Sequence, residues 1–381
     1  MAKANSVESY GIGDRVRAAR KSMGLRQSDL SDISGLPASP LSDIERGTLT
    51  PTIPTLRKIG QALNRPLEYF FQDDDKPQSL GMVIHRTPMG GQVAARFAQL
   101  VEDKTGGDIR LRIYHFAAPV TAREQVEGLA EGAVHIYIDE PLGFEHYAEL
   151  CGPVFLPYFF RDREHYHRFL PSTIFEEHIC QKLLDDGIRL LNPASNWECG
   201  SFEVLFSIDP IFTPDDLVGR RFRSYASDAA IALRRALRAE PVVVEWERTY
   251  EALEQGLVDT FLVPAAHFYS LQVHKLARYA TLLSYGYTLN LTVAISEREY
   301  HKLSPSVQQV LTEATEETGV YCTQLTNEQT VIDLERLSEE HGLPVIHPDP
   351  EAWRTSFTAA IRKICDDGLL APETYEELQS L

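Results

Sequence analysis

The hydrophobic periodicity of this chain changes character across one short segment, QDDDKPQS at residues 72–79. Upstream, apolar residues recur every three or four positions in short runs closed by glycine. Downstream, alternating runs are interleaved with longer amphipathic ones. Helices turn one face to a core with a period of about 3.6 residues and strands with a period of about 2, so the two stretches require different packing arrangements. The segment between them is short, charged and proline-containing, and reads as a linker over 73–79. A chain of 381 residues has room for both parts, a head at 9–72 and a body at 80–381.

In the head, Val16, Ala19 and Met23 repeat at helical spacing in GDRVRAARKSMG, and Gly24 ends that run. QSDLSDISG predicts a shorter second helix with Leu30 and Ile33 facing inward. SPLSDIERG repeats the spacing through Leu41 and Ile44 and stops at Gly47, a residue suited to the left-handed position that closes a helix. TIPTLRKIGQALNRPLEYFF places Ile53, Leu56, Ile59 and Leu63 on one face. Pro37 and Pro40 flank the start of the third helix. Proline fits only a first turn, whose amides lack intrahelical partners, so Ser39 is expected as the cap and Pro40 as the first helical residue.

The net charge of −18 argues against a nucleic-acid partner if it is read as a whole. It is unevenly distributed. Residues 1–72 hold ten Lys and Arg against seven Asp and Glu, a net of +3, which leaves −21 for the remainder. The charge therefore argues against DNA for the body and excludes nothing about the head. With 43% hydrophobic and 24% charged residues the chain is an ordinary globular one, neither disordered nor fibrous. Its five cysteines (Cys151, Cys180, Cys199, Cys322, Cys365) are scattered, with no CxxC pair or Cys/His cluster, so neither a disulfide framework nor a zinc site is expected. The first twenty residues have no apolar core of signal-peptide length, and no stretch reaches the roughly 18 apolar residues of a membrane span. A reducing, cytoplasmic location without a membrane partner is the expectation.

The body opens with the strand-like LGMVIHRTP and the amphipathic GGQVAARFAQLVEDKTGG. DIRLRIYHF, TAREQVEGLAEGA and AVHIYIDE follow, a βαβαβ order that predicts a parallel sheet with helices on both faces. Ligands of such sheets bind outside the carboxyl ends of the strands, which makes Arg86, Tyr114, Glu140 and Phe160 candidates on topology alone. No GxGxxG follows the first strand and there is no phosphate-binding loop, so nucleotide binding has no support. His165 and His167, two residues apart, point in different directions on a helix and read as packed or solvated side chains. Neither HExxH nor GxSxG occurs, and no catalytic residue, metal or cofactor is expected.

The head resembles the lambda repressor/Cro-like (XRE) helix-turn-helix family. The resemblance rests on RVRAARKSMGLRQSDL, the IERG ending, PTIPTLRKIGQAL and the closing PLEYFF. It implies that the third helix enters the DNA major groove while the second crosses the backbone. Gln27 would then contact phosphate or an edge base, and Ala38, Ser39 and Asp43 would face base edges with Ser42 beside them. The long amide and guanidinium readers common in the family are absent. Ala38 suits a thymine methyl, Ser39 is promiscuous, and Asp43 accepts from cytosine but repels phosphate. Arg26, Arg46 and the Thr48–Thr52 stretch would supply backbone contacts, with part of the specificity coming from DNA shape.

The body looks like a solute-binding protein of the TRAP-transporter (DctP-like) type. Its marks are FAQLVEDKTGGDIRLRIY, VEGLAEGAVHIYI, LPYFFRDREHYHRFL, FTPDDLVGRRFRSYAS, RAEPVVVEWERTYEALEQGLVD and KLSPSVQQVLTEATEE, in that order. The resemblance implies two α/β lobes closing over a small organic anion. Its signature ligand contact, the arginine of DLxGxxxR, falls on Arg223, whose planar fork suits a carboxylate or sulfonate. Trp197 in WECG would wall the pocket or lie in the core. Val263 stands where relatives commonly carry Asn, and SFEV stands where many carry a second arginine. Both departures make the pocket less polar and less cationic, so either the solute differs from the usual dicarboxylates or the site has degenerated.

Together these readings describe an all-α helix-turn-helix head followed by a two-lobed periplasmic-binding-protein-like α/β body. They imply a cytoplasmic one-component transcription regulator, not an enzyme, working as a homodimer on operator DNA and sensing a small organic anion. The alternative is a constitutive repressor whose body is a ligand-independent oligomerisation module. An enzyme acting on a small acid and an exported binding protein are weaker rivals.

Overall fold

The computed structural model describes residues 12–49, 51–65, 69–70, 78–85, 87–116, 121–194, 196–200, 203–283 and 290–381. The chain divides into two units, residues 1–78 and 79–381. Gln78 and Ser79, at the end of the expected linker, already belong to the first strand of the body.

The first unit is built from α1 (Ile12–Ser22), α2 (Gln27–Ser34), α3 (Ala38–Glu45) and α4 (Ile53–Ala62). Its core collects Val16, Ala19, Leu30, Leu41, Ile44, Leu56, Ile59 and Leu63, with Phe70 closing one end. Three residues expected inside are exposed: Met23, Ile33 and Ile53. Met23 lies in the turn beyond α1, and Ile53 is the first residue of α4, ahead of the turn that packs. The helix α2 is only two turns long and buries Leu30 alone, leaving Ile33 on the outer side.

The start of α3 also differs from expectation. Pro37 occupies the cap position, the helix begins at Ala38, and Pro40 is its third residue. The first intrahelical bond here runs from the Leu41 amide to the Pro37 carbonyl, so Pro40 still falls where no amide is needed. Ser39 is therefore a residue of the first turn and not its cap. Gly35 (φ 67°) closes α2, and Gly47 (φ 71°) follows α3 in the left-handed conformation expected of it. Gly13 has a different task. A Cβ there would stand 2.1 Å from the Ile44 carbonyl oxygen, so only glycine lets α1 approach the end of α3 this closely.

That crossing is fixed by a buried polar knot. Glu45, 1% exposed, receives a bidentate fork from Arg20 (Nε–Oε1 2.6 Å, Nη2–Oε2 2.9 Å). Gln27 Nε2 donates to Glu45 Oε2 at 2.7 Å, and a further Arg20 nitrogen reaches the Leu25 carbonyl at 2.7 Å. Burial pushes the Glu45 carboxyl up, but the Arg20 and Gln27 hydrogen bonds and the Arg20 charge bring it below its ordinary value.

The body contains two sheets. The first uses β1 (Gln78–His85), β2 (Ile109–Phe116), β3 (Ile136–Asp139), β4 (Ile188–Leu190) and β10 (Thr292–Ser296), in the order β2-β1-β3-β10-β4. The second uses β5 (Glu203–Ser207), β6 (Arg221–Ser224), β7 (Glu240–Val243), β8 (Thr260–Pro264), β9 (Tyr279–Leu283) and β11 (Val345–Ile346), in the order β11-β9-β5-β8-β6-β7. Helices α5 (Pro88–Lys104) and α6 (Ala122–Glu131) join the first three strands. The expectation of a parallel sheet holds for β1 against β3 and fails for β10, which arrives from far downstream and runs antiparallel to β3 and β4. In the second sheet β5 is likewise antiparallel to both neighbours.

A 35-residue helix, Pro305–Glu339, serves both sheets: Leu311, Ala314 and Cys322 enter the core of the first, and Leu337 that of the second. Its buried threonines return their hydroxyls to the preceding turn, Thr315 to the Leu311 carbonyl (2.7 Å) and Thr326 to that of Cys322 (2.7 Å), which satisfies them without breaking the packing. The largest core cluster bridges the two halves, drawing Leu205 and Phe222 together with Tyr137 and Phe160. No helix of the described residues is long and apolar enough to cross a membrane.

Replacing Glu45 by Ala strands the Arg20 guanidinium, a loss of about 3–5 kcal/mol for a broken buried pair. Amide hydrogen exchange of α3 in the full chain is expected to accelerate to the rate of the unfolded head, while amides of the body keep their protection.

Candidate functional site

The carboxyl ends of β1 and β3 face β6 and the segment after β7 across a cleft. Its wider part encloses about 440 Å³, and a narrower apolar part of about 70 Å³ continues between Met89, Cys199, Cys322 and Thr326. The wider part lies in the roughly 300–1,000 Å³ range of small-molecule sites.

Arg223, third residue of β6, is the dominant cation of the cleft and is only 3% exposed. Its Nε donates to the Val244 carbonyl at 3.1 Å. The guanidinium lies over the rings of Tyr225 (4.4 Å) and Trp246 (5.5 Å). No carboxylate oxygen of the described residues comes within 4.0 Å of it. The neighbouring arginines behave differently: Arg220 pairs with Asp209, and Arg221 with Asp259 at 3.1 Å, both on the outer surface. Arg223 thus lines the cleft as a buried guanidinium over two rings, and a planar guanidinium of this kind suits a carboxylate or sulfonate.

Opposite it, His85 closes β1 between two carboxylates, Nε2 3.1 Å from Asp139 Oδ1 and Nδ1 3.1 Å from Glu247 Oε1. A carboxylate is an acceptor only, so both ring nitrogens must carry protons and the imidazole is cationic. Burial pulls its pKa down, but the Asp139 charge and the bonds to Asp139 and Glu247 raise it to about 10. Asp139 is held below its ordinary range against its own burial, chiefly by His85. Glu247 follows β7, so this bridge joins the two sheets. Glu140 lies beside it with its Oε1 accepting from Tyr225 Oη at 3.3 Å. Burial, then the charges of Asp139 and Glu203, lift its carboxyl to about 7.

Of the candidates named from sequence, Arg223 and Glu140 line this cleft. Arg86 lies outside the described residues. Trp197 is a core residue, fully buried with Nε1 donating to the Thr315 carbonyl (2.9 Å) and its ring edge-on to Phe97. Phe160 is enclosed by Phe159, His165, Tyr166 and Phe169. Tyr114 is exposed on the edge strand β2, and Val263 is buried in the core of the second sheet. The residues sequence reasoning missed are His85, Asp139, Tyr225 and Trp246. His165 is packed, His167 exposed, the five cysteines are free, and no metal-holding cluster occurs among the described residues.

In the head, Ala38 and Ser39 are exposed on the first turn of α3, with Ser42 and Asp43 half-buried one turn on. Arg26 is exposed ahead of α2, its amide bonded to Asp29. Gln27 is engaged by Glu45, as above. Asp43 and Arg46 pair with each other at 2.5 Å, so the phosphate-repelling carboxylate is covered by a guanidinium of its own helix. Both groups are substantially exposed, and such a pair is worth little and opens easily.

This geometry defines a class: a helix-turn-helix unit followed by a two-sheet α/β body with a buried arginine in its cleft. The chain belongs to the bacterial extracellular solute-binding proteins, family 7 (DctP), matched over residues 81–367, and carries a helix-turn-helix domain of the HTH_3 family at 16–70. It is 26% identical over 242 residues to the 2,3-diketo-L-gulonate-binding periplasmic protein YiaO of Escherichia coli K12, covering 63% of this chain and 72% of that protein. It is 27% identical over 291 residues to the C4-dicarboxylate-binding periplasmic protein DctP of Rhodobacter capsulatus, covering 75% and 84%. Among solved structures, the sugar acid binding protein DctPAm of Advenella mimigardefordensis in complex with galactonate superposes with a TM-score of 0.70 at 19% identity, covering 80% of this chain and 97% of that one. The fold is thus shared with binding proteins for small organic acids.

The His85 bridge makes a pH-dependent prediction. Its folded pKa lies above the ordinary 6.5, so its stabilisation is complete below about pH 6.5 and is lost as pH rises through about 10. The gap in melting temperature between the native protein and His85→Gln is expected to be widest near pH 6 and to close above pH 10. A gap that stays constant with pH would remove the ionic role.

Proposed function

We propose that the protein is a cytoplasmic one-component transcription regulator, whose head binds operator DNA and whose body senses a small organic anion. The observation that carries this reading is Arg223, a buried cation without a carboxylate partner among the described residues, in the cleft of a chain that also bears a helix-turn-helix. Names of relatives support the ligand class, since they bind dicarboxylates, a diketogulonate or sugar acids. The heads act as a pair on half-sites about one helical turn, roughly 34–36 Å, apart. Ala38, Ser39 and Asp43 face base edges with Ser42 beside them, Arg26 and Arg46 contact the backbone, and Gln27 meets a phosphate or an edge base. Ligand closes the cleft on Arg223 and changes the affinity of the heads for DNA, for which a tenfold effect requires about 1.4 kcal/mol of coupling.

A thermal-shift screen against small carboxylates and sulfonates tests the body. A ligand at a hundred times its Kd adds about 2.7 kcal/mol. We expect that shift in the native protein and its loss in Arg223→Ala, which should still bind DNA but no longer respond to the ligand. Arg46→Ala is expected to weaken DNA binding across sequences and to lower the slope of log K against log salt by about one. Ligand binding that survives in Arg223→Ala sinks the pocket assignment. DNA binding indifferent to every ligand of the screen favours a body that only holds two heads together.

A further inference from the structure

Charge in the cleft is not balanced by an anion alone. Arg223 calls for one, yet the walls around it are acidic. His85 pairs with one oxygen each of Asp139 and Glu247, and Arg123 at the rim is matched by Glu127 at 2.9 Å. That leaves Glu140 and Glu245 as two further carboxylates on the cleft wall, beside Arg223. A second observation points to a ligand. The Oε2 atoms of Glu140 and Glu247 are buried and have no hydrogen-bond partner, although a buried carboxylate oxygen normally finds one. Glu140 borders both the wide and the narrow part of the cleft. Trp246 and Tyr225 border both parts as well, and their faces already engage one cation, so the aromatic surface has the electronic character that attracts a second.

We propose that the ligand is a zwitterion: an acid whose anionic group binds Arg223 and whose cationic nitrogen, an ammonium or alkylated ammonium, lies against Glu140. This rests on the sensor reading above and narrows its ligand from organic anions to amino acids or betaines. The rival within the same site is a hydroxy acid that takes a hydrogen bond from a protonated Glu140. The two differ in whether a formal positive charge on the ligand is required.

Isosteric pairs separate them in the full-length protein. Glycine betaine is matched with 3,3-dimethylbutyrate, 4-aminobutyrate with 4-hydroxybutyrate, and glutamate with 2-hydroxyglutarate, within a broader panel of amino acids and their deaminated acids. Binding is read by calorimetry at constant pH and salt. The expected result is a zwitterion that binds at least tenfold tighter than its uncharged isostere. That preference should shrink at least tenfold in Glu140→Gln, a shape-conserving variant whose circular dichroism and melting confirm that it folds. Arg223→Ala should lose both members of the pair. Hydroxy acids that bind as well as their amino counterparts, or a preference unchanged in Glu140→Gln, overturn the zwitterion while leaving the anion sensor standing. A panel without any ligand overturns both readings.

Discussion

Taking a guanidinium out of water costs several kcal/mol, and a protein recovers that cost only through charge or hydrogen bonds arranged around it. The two units of this chain solve the problem in opposite ways. In the head, Arg20 is met in full by Glu45, and Gln27 completes the arrangement, so the charge is spent on holding α1, α2 and α3 together. In the body, Arg223 has a carbonyl and two aromatic faces but no carboxylate at bonding distance among the described residues. Such a residue persists in a folded core only if the surrounding structure supports it, and here that support is the edge of the second sheet. β6 carries it, and the segment that follows β7 supplies the Val244 carbonyl and the turn with Trp246. Arg223 also lines the cleft, so under the proposed reading an anionic ligand would supply the charge that the protein does not.

The His85 bridge is the counterpart on the other wall. It ties the end of β1 to Glu247, and so draws the two sheets together while leaving the Arg223 side open to a ligand. The same bridge explains why Asp139 is held below its ordinary range despite its burial while the carboxyl of Glu140, its neighbour, is raised. Asp139 has a cation in contact, whereas Glu140 has other carboxylates nearby and Arg223 only at longer range. Two adjacent acids thus differ in proton affinity because of position, a pattern typical of sites that discriminate between ligands.

Much of the head could be read directly. Its helices are short and local, and their ends are marked by Gly24, Gly35 and Gly47. An i, i+3 spacing is not sufficient for burial at Ile33, whose helix is too short to pack on two sides. The body was legible in its first three strands and their helices, because consecutive elements carry their own periodicity. The place of β10 between β3 and β4 was not, since it depends on pairing residues 136–139 and 188–190 with 292–296, which no local pattern records. Within the site, Arg223 followed from its motif and Glu140 from its position at a strand end. His85 was missed by one residue in favour of Arg86, because a strand-end rule cannot say where the strand stops. Trp197 and Trp246 are each followed by glutamate, and nothing in either flank tells which ring is enclosed by α5 and which borders the cleft.

Electrostatics also constrain how the two units communicate under the proposed reading. Residues 73–381 carry −21, so the body repels DNA whatever its ligation state, and contact is confined to the head with its +3. A dicarboxylate effector would deepen that repulsion on binding, and its influence on DNA affinity would vary with salt like any long-range charge effect. A zwitterion adds no net charge. Its binding leaves the field around the body almost unchanged, so any control it exerts must pass through the geometry of the closed cleft, by favouring one arrangement of the body over another. The ligand's effect on operator affinity would then be nearly independent of ionic strength, even though the affinity itself falls steeply as salt is added. The charge of the effector and the mechanism of the switch are thus one question, and both answers depend on what stands against Glu140.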